Sequence, residues 1–150
     1  RFLFKINVGY PSLEEEIKIL EGHHHRKNSA ATDAIEPVLN ATQIAEYQKT
    51  IRSIIIEDNL LKYIASIVNN TRNNGNLYLG ASPRASIAIM NASKALAAIH
   101  GRDFVTPDDI KKVTPAVLRH RIILTPEREM EGFTTEKAVL QIIETIEIPR

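Results

Sequence analysis

The sequence contains no cysteine. That excludes a disulfide framework and any zinc site built on thiolates, and it fits a reducing compartment. An excess of charge of either sign is also missing. Nineteen Lys and Arg against eighteen Asp and Glu leave a formal net charge of +1, so no global field draws the chain onto nucleic acid or anionic lipid, and a charged partner has to be held locally. Long apolar runs are absent as well: Ile54-Ile55-Ile56 falls far short of the roughly 20 residues a membrane-spanning helix needs. No basic-then-apolar signal segment opens the chain, so the expected location is the cytoplasm, without membrane contact. What is present, 43% hydrophobic and 25% charged residues over 150 positions, is enough to bury one ordinary core. Because the first residue is Arg1 and a strand-like run begins at once, the chain reads as an excised fragment.

Phe2, Phe4, Ile6 and Val8 alternate with Leu3, Lys5 and Asn7, the period of a strand buried mainly on one face. Ser12 followed by Glu15 matches a capping box, with Glu14, Glu15 and Glu16 at the positive end of the dipole, and predicts a helix from Leu13 to about His24. Residues 26–42 are polar, carry Pro37 and lack periodicity, marking the boundary between residues 1–30 and 31–150. Everything beyond reads as helical: about Thr42 to Arg52, then a helix burying Leu60, Ile64, Ile67, Val68 and Thr71, then an alanine-rich helix from Pro83 to His100 ended by Gly101. Thr106-Pro107-Asp108-Asp109 is a further start signal. Thr114-Pro115 is expected to interrupt that helix, with a new short helix over 116–120. Thr125-Pro126 is expected to open a loop through Gly132, and Thr134 or Thr135 to cap a last helix.

Leu79-Gly80-Ala81-Ser82-Pro83-Arg84-Ala85-Ser86 is the most informative segment. Ser82 is placed to cap, Pro83 takes the first helical position, and Arg84 stands in the first turn, where a cation opposes the macrodipole by a few tenths to about 1 kcal/mol. Arg84 is then either a solvated surface residue or the partner of an anion, because free N–H groups and a guanidinium fork together make a phosphate site. His23-His24-His25 point about 100° apart on a helix and cannot close on one ion, so they read as a solvated helix end. Arg119, His120 and Arg121, with Lys111, Lys112 and Arg102, form a basic cluster, but Asp103, Asp108, Asp109 and Glu127 are interspersed, which argues against nucleic-acid binding.

Gly80 to Ser86, Ala95-Leu96-Ala97-Ala98-Ile99-His100-Gly101-Arg102-Asp103-Phe104-Val105-Thr106-Pro107-Asp108-Asp109-Ile110, Val117-Leu118-Arg119-His120-Arg121-Ile122 and Leu124-Thr125-Pro126-Glu127 resemble the C-terminal helical lid of MoxR-type AAA+ ATPases. Arg1-Phe2-Leu3-Phe4-Lys5 and Val8-Gly9-Tyr10-Pro11-Ser12 are similar to the last strand of that family's ATP-binding core. The resemblance implies a mainly α fold, a helical bundle with a short N-terminal strand-helix remnant of the α/β core. It implies that Arg84, with Ser82, meets the ATP phosphate as the sensor-2 residue, and that Arg1 is an arginine finger acting on a neighbouring subunit. It further implies ATP and Mg²⁺ as cofactors of the full-length protein and a homo-oligomeric ring that remodels partners, some with von Willebrand A domains.

Phosphoryl transfer also needs a phosphate loop with its Lys and acids for Mg²⁺. No Gly-x-x-x-x-Gly-Lys-Ser/Thr segment and no strand ending in paired acids occurs, so the chain alone is expected not to hydrolyse ATP. The competing expectation is an independent helical interaction module, histone-fold-like and DNA-binding, since Phe104 to Ile110 also resembles the entry to that fold's last helix.

Overall fold

The computed structural model describes residues 2–26, 32 and 35–149. The chain divides into two units, residues 6–45 and residues 1–5 with 46–150.

In the first unit, helix α1 (Leu13–His25) opens on the expected reciprocal cap: the Glu15 N–H donates to Ser12 Oγ, and the Ser12 N–H donates to Glu15 Oε2 at 2.8 Å. A second such pair, Asn40 with Gln43, each backbone N–H donating to the other's side chain at 2.9 Å, begins α2 (Ala41–Ser53), whose residues from Glu46 on belong to the second unit. Neither helix buries a residue.

The second unit holds the core. Helices α3 (Asp58–Asn70), α4 (Pro83–Ile99), α5 (Pro107–Leu118) and α7 (Thr135–Thr145) pack together. Their inward stripes supply Ile67, Ile89, Ile110, Leu118, Val139 and Ile142, all essentially without exposure. Burying a side chain of this size contributes about 1.5 to 3 kcal/mol. The buried alanines of α4, Ala85, Ala88, Ala92 and Ala97, leave room for neighbouring helices to come close at little cost in helix propensity. Gly101, at φ +70°, ends that helix in the left-handed conformation its missing Cβ permits.

Phe2 to Val8, a strand-like segment expected to be poorly paired, forms no strand among the described residues, and its Lys5 N–H donates to Ala116 O at 3.1 Å. Three expectations change. A small antiparallel sheet, β1 (Leu77–Leu79) with β2 (Ile123–Leu124), stands where only helix was expected. Helix α5 runs through Pro115 to Leu118 instead of breaking. The Thr114 hydroxyl binds Ile110 O at 2.6 Å, and the Arg119 N–H resumes the ladder on Pro115 O at 3.0 Å. Thr125-Pro126 starts helix α6 (Pro126–Met130), since a proline at the first helical position loses no bond, and Gly132 closes it at φ +71°. Of the two candidate caps for the last helix, Thr134 is the one used.

Candidate functional site

The start of α4 is fastened to the end of α3 by local chemistry. Thr71 Oγ1 donates to Val68 O at 2.6 Å and accepts the Ala81 N–H at 2.9 Å, while Arg72 Nε donates to Ala81 O at 2.8 Å. Gly80 lies so close that a Cβ there would sit 2.5 Å from Thr71 O and 2.7 Å from Arg72 Cα. Three residues beyond Ala81, Arg84 is held at a defined place on an otherwise exposed helix end.

Ser82 is the N-cap in extended conformation, but its hydroxyl makes no capping bond. Arg84 is exposed and forms no ion pair with a described residue. It lines an open groove of about 450 Å³ with Leu3, Ile87, Ala88, Asn91 and Arg121. Arg121 reaches the groove from the turn after α5. One terminal nitrogen donates to Phe2 O at 2.7 Å, and its Nε is buried without a partner. Sequence reasoning had Arg121 within a basic cluster and within the motif Val117 to Ile122, but not beside Arg84; only the packing of α5 on α4 brings the two together. Arg1 lies outside the described residues.

The rest of the basic cluster is dispersed. Arg102 grips Asp109 with both terminal nitrogens, at 2.8 and 2.7 Å, and Arg119 pairs with Glu136 at 3.5 Å. Burial alone would raise the Asp109 pKa, but the bonds from Arg102 and from the Thr106 backbone and hydroxyl outweigh it and lower the carboxyl from 3.8 to about 2. His120 Nε2 is 3.2 Å from Phe2 O. His23, His24 and His25 occupy the last turn of α1. Among the described residues no group of three His, Asp or Glu could hold a metal ion. No described helix is long and apolar enough to cross a membrane.

The family pattern of the AAA lid domain matches residues 69–143, from the last turn of α3 through α7. The chain belongs to the AAA lid domain family. Its relatives agree with the MoxR-type resemblance. It is 38% identical to the Bacillus subtilis protein YeaC over 99% of its own length and 46% of that protein's. It is 35% identical to the chaperone MoxR1 of Mycobacterium tuberculosis over 100% and 41%. A crystal structure of an ATPase candidate from Cytophaga hutchinsonii superimposes with a TM-score of 0.85 at 30% identity, covering 100% of this chain and 47% of that one. The chain thus spans less than half the length of these relatives. An AAA lid with this spread of ion pairs does not favour the histone-fold-like, DNA-binding alternative.

Proposed function

We propose that the chain is the lid portion of a MoxR-type AAA+ ATPase, in which residues 1–30 complete the α/β core and residues 31–150 form the lid. The lid closes over ATP held with Mg²⁺ by the core, and Arg84 meets the terminal phosphate. A bound nucleotide supplies the transferable phosphoryl group. This chain contributes a guanidinium, the free end of α4 beside Ser82, and a rigid body that rotates with the state of the site. The observation that carries this reading is Arg84 itself, a cation with no ion pair to a described residue in the first turn of a long helix, a placement that an anion makes favourable.

The partners that follow are the ATPase core of the same protein, neighbouring subunits of a homo-oligomeric ring in which Arg1 serves as arginine finger, and client proteins remodelled or activated in chaperone fashion, von Willebrand A domain proteins among them. The assembly is cytoplasmic. Hydrolysis belongs to the whole protein, because the sequence of this chain has no phosphate loop. In a polypeptide that joins this lid to its core, Arg84→Ala removes a charge-assisted contact, and turnover or nucleotide affinity falls about ten- to a hundred-fold. Unchanged ATPase rates would refute the assignment.

A further inference from the structure

Three of the arginines packed around the helical core face a carboxylate: Arg102 with Asp109, Arg119 with Glu136 and Arg128 with Glu131. Arg84 and Arg121 form no ion pair with a described residue, yet both line one groove. Two guanidiniums on the walls of one depression repel each other, and an anion between them reverses the sign of that interaction. Arg121 has donors to spare. One terminal nitrogen is committed to Phe2 O at 2.7 Å, its Nε is shielded from solvent with no partner, and a guanidinium carries five N–H groups in all.

We propose that Arg121 is a second phosphate-binding arginine, which clasps the same polyphosphate end as Arg84 and, through the carbonyl of Phe2, couples occupation of the groove to the segment Phe2 to Lys5. This inference rests on the reading of Arg84 as a phosphate ligand and extends it. The coupling has a structural basis at both ends of that segment. Phe2 O is held by Arg121 and by His120 Nε2, the Lys5 N–H is held by Ala116 O at 3.1 Å, and Leu3 between them forms part of the groove wall. A phosphate oxygen is a stronger acceptor than a peptide carbonyl because the bond is charged on both sides. Binding it therefore redistributes the donors of Arg121 and changes the bond that fixes Phe2.

The experiment is a titration of the ¹⁵N-labelled 150-residue chain with inorganic tripolyphosphate, followed through the arginine Nε–H signals and the Leu3 amide, whose nitrogen is bonded to the Phe2 carbonyl carbon. The expected result is that the Arg84, Arg121 and Leu3 signals move along one isotherm while exposed Arg52 does not. Arg84→Lys and Arg121→Lys each weaken binding at least about five-fold, since an ammonium cannot reproduce the fork. Movement of Arg84 alone, with Arg121 and Leu3 unmoved, overturns the role of Arg121 and leaves the reading of Arg84 intact. Equal movement of Arg52, or no movement of any of these signals, also overturns the proposal, whereas the reading of Arg84 in the ATPase is decided separately by turnover of the Arg84→Ala protein. The wild-type titration needs no variant, so a variant that fails to fold does not obscure the result.

Discussion

Thr71 and Ala81 are joined by a hydrogen bond of 2.9 Å in which the threonine hydroxyl accepts the alanine N–H, and the same hydroxyl donates to Val68 O. Thr71 is buried to 1% exposure and Ala81 likewise, so neither group has water as an alternative. That bond, with Gly80 pressed against the Thr71 carbonyl, decides where α4 begins and therefore where Arg84 stands.

Thr71→Val keeps the shape and leaves the Ala81 N–H buried without an acceptor, which costs about 1 to 3 kcal/mol. Gly80→Ala drives a methyl into backbone at 2.5 Å and lowers stability by a comparable ~1 to 3 kcal/mol as α3 and α4 are forced apart. Urea denaturation of both variants checks this, and a wild-type midpoint for Gly80→Ala would contradict the close approach.

Acid should act through Asp109. Its folded pKa of about 2 lies below the ordinary 3.8, so the stability it contributes is complete above 3.8 and is lost as pH falls through about 2. The shift corresponds to roughly 2 kcal/mol. Denaturation midpoints measured from pH 5 down to pH 2 should fall in the wild type, and this contribution to the slope should vanish in Asp109→Asn.

Helix α5 tolerates Pro115 without a break, but the proline still removes the donor that would serve Lys111 O. Pro115→Ala restores that donor while loosening the unfolded chain by about 0.4 to 1 kcal/mol. The net expectation is a gain of about 1 kcal/mol, read as a raised melting temperature; a loss would show that the ring packs favourably where it stands.

Arg84→Ala in this chain should change stability by less than about 0.5 kcal/mol, because the side chain is exposed and makes no ion pair with a described residue. A large drop in melting temperature would mark Arg84 as a packing residue.

Calorimetric titration of the chain with ATP should give binding weaker than micromolar and no release of phosphate, since the sequence has no Gly-x-x-x-x-Gly-Lys-Ser/Thr phosphate loop. Tight binding with turnover would overturn that expectation.

The parts of the fold written in neighbouring residues could be read directly. Ser12 with Glu15, Thr106 with Asp109, and Gly101 past the end of α4 are each complete within four residues, and the structure bears out all three. The β1–β2 pair was not legible. Its strands have three and two residues and meet across some forty positions, and such short segments carry no periodicity of their own. Pro115 and Pro126 illustrate the limit of local rules from opposite sides: one was expected to break a helix that tertiary packing sustains, the other to open a loop where it starts a helix. The candidate groove divides in the same way. The position of Arg84 in the first turn of α4 was legible because the start signal around it is local, whereas the proximity of Arg121 depends on two helices that pack together.

The joint at Gly80 and Ala81 also has a mechanical consequence. Two side-chain bonds and a close backbone approach tie the last turn of α3 to the start of α4. Helix α3, thirteen residues and about 20 Å long, is thus a single strut that runs from this joint to Glu57, beside the Ile55–Phe104 bridge.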